Sequence, residues 1–150
     1  MLSSKNSFSL VEAILTVIVI GILAAIVLPH FVKEGFVGSL SLRSTSSQIA
    51  SDIRLTRQLA VTNSGHYLIQ FDFSQGEYRI YKNSILPANQ VGETKTIPSD
   101  LTCSGTSQFD FYSLGNCAFS GSGLSVVQGS SQYQISVETP TGAVVIEKIS

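Results

Sequence analysis

FSLVEAILTVIVIGILAAIVLP, residues 8–29, carries a single ionisable side chain, Glu12, near its start and no charge from Ala13 to Pro29. A helix rises about 1.5 Å per residue, so about 20 such residues reach across the hydrocarbon core of a bilayer. The run predicts a transmembrane helix over residues 8–30, preceded by a short leader, residues 1–7, with one cation, Lys5. An ionisable group inside such a run is expensive, which marks Glu12 as a residue with a task. Lys5 before the run and few lysines after it favour a cytoplasmic N-terminus and export of the rest. Polar residues follow Pro29 at once and no small-residue cleavage site stands there, so an ordinary secretory signal is excluded. Pro29 removes a backbone donor and crowds the preceding turn, and Gly21 is a second weak point; both are expected to soften the helix.

Outward from this run, the 150 residues suit one membrane anchor and one globular domain, residues 31–150, which begins with the second half of the same helix. Charged residues are sparse at 13%, and the net charge is −1, one unit more negative without Lys5. That balance gives no general attraction to nucleic acid or anionic lipid. Cys103 and Cys117 form an even pair, which in an exported domain reads as one disulfide; the alternative is two buried free thiols. His30 and His66 are not spaced with the cysteines as a zinc ligand set, and no cofactor or metal is implied.

The helix is expected to continue to about residue 64. Leu42, Ser46, Ile49, Ile53, Thr56 and Ala60 recur at spacings of three and four and make one stripe facing a core. Arg43, Ser47, Arg54 and Arg57 lie largely off it, while Leu55 and Leu59 widen the apolar face. Asn63-Ser64-Gly65 is a helix stop in which Gly65 can take the left-handed conformation. The period then changes to two. Tyr67, Ile69, Phe71 and Phe73 alternate with His66, Leu68, Gln70 and Asp72, a half-buried strand that turns through Ser74-Gln75-Gly76 into Tyr78–Lys82. Residues 83–100 read as a long loop with a short strand near Lys95–Ile97. Phe109–Tyr112, Leu124–Val127, Tyr133–Glu138 and Ala143–Ile149 are further strands, punctuated by Gly129 and by Pro140-Thr141-Gly142. The predicted fold is α+β: a long N-terminal helix, transmembrane in its first half, packed on an antiparallel sheet.

The Phe8, Glu12, apolar run and Pro29 pattern resembles the N-terminus of the type IV pilin superfamily, which includes the pseudopilins of type II secretion. With Phe8 as mature residue one, Glu12 is fifth and Pro29 twenty-second, as in that family. The leader ends in Ser7 where the family normally has Gly. More narrowly, Ile53-Arg54-Leu55-Thr56-Arg57-Gln58-Leu59-Ala60, then Gly65 and the strand from Tyr67, resemble the GspH/FimT group, whose helix carries an "LR-x-AR-x-x-A" pattern. Thr141-Gly142-Ala143-Val144 sits where that group places its Gly-led last strand.

The resemblance implies a minor pseudopilin that helps initiate or cap a secretion pseudopilus, or alternatively a minor type IV pilin in pilus assembly, adhesion or DNA uptake. It implies cleavage by a prepilin peptidase between Ser7 and Phe8, methylation of the Phe8 amine, and a salt bridge from Glu12 to that amine in a neighbouring subunit. The implied partners are other pilins or pseudopilins in a helical filament and an inner-membrane assembly platform. The C-terminal domain would lie in the periplasm. An enzyme is not expected: there is no G-x-S-x-G elbow, and Asp72, Glu77, Asp100 and Asp110 are scattered. DNA binding is disfavoured, since residues 141–150 hold one cation and one anion, and Arg43, Arg54 and Arg57 lack interleaved aromatics.

Overall fold

A computed structural model describes residues 10–31, 34–119 and 123–149, and it divides the chain into two compact units, Met1–Val37 and Gly38–Ser150. In the first unit, α1 spans Leu10–Phe31 and runs on past Pro29. Its side chains are described as far as Ala25 and are exposed throughout, apart from a half-buried Ala24. Among the described residues no helix is long and apolar enough to cross a membrane; the expected span of 8–30 extends beyond the side chains described. The single long helix of the sequence reading is given as two, α1 and α2 (Glu34–Thr62), and the residues between them lie outside the described set.

The second unit is a helix on antiparallel sheet. From Gly38 onward α2 offers the stripe Leu42, Ser46, Ile49, Ile53, Thr56 and Ala60, all of it buried. Its C-terminus closes in a Schellman arrangement, with Gly65 N bonded to Ala60 O at 3.0 Å and Ser64 N to Val61 O at 3.2 Å. The left-handed residue is Ser64, at φ 47°, and not Gly65 as the sequence suggested. The glycine is displaced by one because the helix ends at Thr62, two residues before its expected stop.

Among the described residues nine strands follow: β1 (Tyr67–Asp72), β2 (Glu77–Lys82), β3 (Gln90–Thr96), β4 (Thr102–Gly105), β5 (Gln108–Phe111), β6 (Cys117–Ala118), β7 (Leu124–Gln128), β8 (Ser131–Val137) and β9 (Val144–Ile149). They form two sheets, in the orders β3-β2-β1-β5-β6 and β4-β7-β8-β9, with every pairing antiparallel. The β1–β2 hairpin pairs Tyr67 with Lys82 and Asp72 with Glu77. Its turn is held by Asp72, whose Oδ1 accepts from Ser74 N at 3.0 Å and Gln75 N at 3.1 Å, and it exits through Gly76 at φ 64°. Those donors hold the Asp72 carboxyl below its ordinary pKa, the Ser74 hydroxyl contributing most.

Both sheets bury apolar side chains with α2 in one core. Ile69, Phe71, Phe109 and Phe111 come from the first sheet, and Leu124, Val126, Ile135 and Val137 from the second. Phe71 stacks on Tyr78 at 5.2 Å and meets Phe109 edge-on at 6.3 Å. Three strands depart from the sequence reading. Residues 83–100 hold β3 and a short 3-10 turn at Pro87–Asn89, and β4 and β6 were not foreseen. β3 and β4 are rich in Gly, Ser, Thr and charged residues, and β6 is only Cys117-Ala118, so these strands take their shape from their neighbours' hydrogen bonds more than from their own side chains.

Candidate functional site

Three places on the molecule concentrate functional chemistry. The first is α1. Glu12 lies in its first turn, where the helix dipole favours an anion. Below it Thr16 Oγ1 donates to Glu12 O at 3.0 Å and Ala13 O at 2.8 Å, so its hydroxyl is satisfied within the helix. The rest of the described surface is apolar on every side: Leu10, Val11, Ile14, Leu15, Val17 and Ile18 are all exposed. A helix that is apolar all round needs lipid or other helices around it. A Cβ added at Gly21 would meet nothing within 4 Å, so no close packing in this unit accounts for that glycine. Ser7 and Phe8 lie outside the described residues, as do the side-chain surroundings of Pro29.

The second place is the flank of α2 that faces β2 and β3. Asp52, one position before Ile53, is buried; its carboxylate accepts from Tyr78 Oη at 2.6 Å and from Lys95 Nζ at 2.5 Å. Burial, reinforced by the bond to Asp52, drives the Tyr78 hydroxyl far above its ordinary pKa and keeps it a donor. One carboxylate therefore ties the helix to two strands of the first sheet. Beside it Leu55, Leu59, Ile80 and Val91 line an open apolar groove of about 260 Å³, with Glu93 and Lys95 among the residues that line it. Arg79, whose pKa is raised first by a hydrogen bond with Tyr81, pairs with Glu77 at 2.7 Å.

The third place is the opposite flank of α2. Arg54 donates to Val144 O at 3.0 Å and Arg57 Nε donates to Gly115 O at 3.1 Å. Gly142, at φ 66°, lies against the same point: a Cβ built on it would fall on Gly115 O and within 2.8 Å of Arg57 Nε. The arginines of the helix pattern and the glycine that precedes the last strand are thus parts of one junction, which holds the 112–116 turn and the start of β9 to α2. The turn carries Leu114, 91% exposed. Tyr112 at its start stacks on His66, ring centroids 5.0 Å apart. His66 in turn lies 2.9 Å from Asp110 Oδ1 and 3.2 Å from Asn83 O. His66 is therefore part of a small polar cluster and not a plain surface histidine.

The expected Cys103–Cys117 disulfide is not formed; both are free thiols. The strand order explains it. Cys117 opposes Phe111 on β6, at one edge of the first sheet, and Cys103 opposes Val126 on β4, in the second sheet. Each thiol is packed against the core cluster from its own sheet, and burial raises the pKa to about 11 for Cys103 and about 12 for Cys117. Among the described residues no three His, Cys, Asp or Glu side chains gather as metal ligands. Sequence reasoning missed Asp52, which a charged residue beside a stripe does not announce. It also placed Arg54 and Arg57 off the buried stripe without a partner, where they cap the carbonyls of Val144 and Gly115.

A helix packed on antiparallel strands in this order defines a pilin-like α+β fold. The chain is similar in structure to the minor pseudopilin EpsH from the type 2 secretion system of Vibrio cholerae, with a TM-score of 0.59 and 10% sequence identity, over 71% of this chain and 96% of that one. At this identity the likeness is one of fold. No family model and no curated protein matches the chain.

Proposed function

We propose that this protein is a minor pseudopilin of the GspH kind, a structural subunit that helps initiate or cap a type II secretion pseudopilus and turns no substrate over. The observation that carries the reading is α1: an exposed, apolar helix whose one carboxylate, Glu12, sits in its first turn, in a chain that shares the fold of a minor pseudopilin over 71% of its length. Residues 1–7 are the leader. A prepilin peptidase cuts between Ser7 and Phe8, and the new Phe8 amine is methylated. Residues 8–30 hold the subunit in the inner membrane with the N-terminus in the cytoplasm and residues 31–150 in the periplasm. The assembly platform then moves it into the filament.

Glu12 gives the filament its register in this scheme. A lone carboxylate in lipid costs a few kcal/mol on insertion scales. The Phe8 amine of a neighbouring subunit offsets that cost only at one axial offset, which makes the pair a positional key as much as an attraction. Gly21, Ala24 and Ala25 allow neighbouring helices to approach closely, and Gly21 with Pro29 gives the segment room to stretch as it leaves lipid for the filament.

The test is Glu12→Ala in the full chain, read by membrane fractionation and by recovery in sheared filaments. The expected result is normal insertion with at least tenfold less filament incorporation; incorporation at the wild-type level would overturn the role of Glu12. Intact-mass analysis of the membrane form reads the processing step. A chain that keeps Met1 has no free amine for a neighbour's Glu12, and that result would sink the assembly scheme.

A further inference from the structure

We propose that the outer edge of β9 takes up an extended strand of a different protein, one whose side chains toward α2 carry carboxylates and whose outward side chains are apolar. This contact goes beyond the anchor helix and involves none of its residues.

The backbone of β9 is built as a template. Among the described residues the two sheets end in β3, β6, β4 and β9. β6 is two residues long and β4 four, while β3 breaks register against β2 and passes through Gly92 and Glu93. β9 instead pairs with β8 in unbroken register over all six of its residues, from Val144 opposite Val137 to Ile149 opposite Gln132. Four of the six are Val or Ile, which favour an extended backbone. In an antiparallel pair, residues that bond the partner strand alternate with residues whose N–H and C=O point away from it. Two bonds set the phase. Glu138 N donates to Ala143 O at 2.9 Å, so Val145, Glu147 and Ile149 also face β8. Val144 O accepts from Arg54 on α2 at 3.0 Å, so Ile146 and Lys148 also face outward. Among the described residues no strand takes the outward N–H and C=O groups of Ile146 and Lys148, and such a row pairs with an incoming strand.

Charge selects that strand. Val144 and Ile146 pack against the core, so by alternation Lys148 lies on the α2 side of the sheet and Glu147 on the other. Gln128, opposite Ser131 at the start of β8, lies against Gly38. β9 therefore runs from Arg54 back toward the start of α2, and so toward Arg43, which is exposed on the same helix face about three turns before Arg54. Arg43, Arg54 and Lys148 border the α2 side of the edge, and among the described residues none of them is in an ion pair. The acids of this region are engaged elsewhere. Asp52 pairs with Lys95 on the opposite flank of α2, Asp100 is bonded by Gln128 of β7, and Glu138 accepts from Thr141 in the turn before β9. On the outer face Val145 and Ile149 are exposed to either side of Glu147. An incoming strand meets cations on one face and apolar side chains on the other. The same cations disfavour a second copy, since two β9 edges brought together would crowd Arg54 and Lys148 of both chains on one side of a shared sheet. An edge that takes a strand from an unlike partner and repels its own kind suits a subunit that starts or ends a filament.

Titration of the full chain in detergent with a fluorescent peptide of alternating aspartate and valine tests it, with amide hydrogen exchange followed by NMR. The expected result is saturable binding that slows exchange at the Ile146 and Lys148 amides at least tenfold. A peptide of alternating lysine and valine should bind at least tenfold more weakly. So should the aspartate–valine peptide N-methylated along its backbone, which keeps its charge and loses its strand hydrogen bonds. Lys148→Pro removes an outward donor and spares the ladder to β8, so it should weaken binding about fivefold beyond Lys148→Ala. Far-UV circular dichroism checks the fold of both variants, and if the proline unfolds the unit the N-methylated peptide decides alone. Equal binding of the N-methylated peptide would overturn strand addition, and equal binding of the lysine peptide would overturn selection by charge. No binding of the aspartate–valine peptide would overturn the site outright. Protection of the Lys148 amide that grows with protein concentration in the absence of peptide would overturn the unlike partner in favour of a second copy.

Discussion

Replacing Asp52 is the sharpest probe of how α2 is fixed to the first sheet. Its carboxylate is only 8% exposed and serves two donors, Tyr78 Oη and Lys95 Nζ. In Asp52→Ala the Tyr78 hydroxyl stays buried without its acceptor, which costs about 1–3 kcal/mol. The Lys95 ammonium is 37% exposed and can turn to water, so losing the ion pair adds no more than about 1 kcal/mol. Alanine's better helix propensity returns about 0.5 kcal/mol. The expected loss is about 0.5–3.5 kcal/mol, centred near 2. Asp52→Asn keeps an acceptor for Tyr78 and gives up only the charge, so it should lose about 1 kcal/mol. Equilibrium unfolding of the full chain in detergent, followed by far-UV circular dichroism, measures both. If Asp52→Ala falls within 0.5 kcal/mol of the wild type, or Asn costs as much as Ala, the carboxylate is not the tie described.

Three further outcomes follow from the same unit. Ser46 is fully buried on the helix stripe and, among the described residues, its hydroxyl finds no partner; Ser46→Ala should raise stability by about 1–2 kcal/mol in the same assay, and a loss would show that the hydroxyl is bonded. Gly142→Ala places a Cβ on Gly115 O at a left-handed φ of 66°, so it should cost at least about 2 kcal/mol; a neutral result would mean the junction with Arg57 is loose. Stability should also fall in alkali. The thiols of Cys103 and Cys117 ionise in the folded chain only near 11 and 12, against 9.0 unperturbed. The unfolded chain therefore sheds these protons first, and the stability present below pH 9 is lost as pH rises through 11 and 12. Unfolding midpoints that stay flat from pH 8 to 11 would contradict that burial.

The helix stripe was legible in the sequence because its period is that of a helix and tolerates small polar members: Ser46 and Thr56 were read as core from their spacing, and both are buried. The β1–β2 hairpin was legible for the same reason at period two. The edges of the sheets were not. β3 runs through Gly92 and Glu93, which look like a loop; only its end near Lys95 was read as strand, and the rest depends on pairing with β2. Pairing of the cysteines failed because parity of count says nothing about which sheet each one joins. Arg54 and Arg57 were recognised as a pattern without their purpose, since their partners, Val144 O and Gly115 O, are backbone atoms far along the chain. Of the residues proposed for assembly, the spacing of Phe8, Glu12 and Pro29 is wholly a sequence signal.

The bond from Arg54 to Val144 spans 90 positions, and it has a bearing on how the chain comes to be built. The helix stripe is made well before the strand that meets its far flank, 90 positions later. Contacts so distant in sequence form slowly, because the long intervening loop must close before they contribute anything. Until residue 144 has emerged, Arg54 lacks its acceptor and the second sheet lacks its edge strand β9. The globular unit is therefore completed only once β9 has been translated. A product cut short before its last strand is a hazard to the cell, with apolar surface uncovered, and not a smaller version of the subunit.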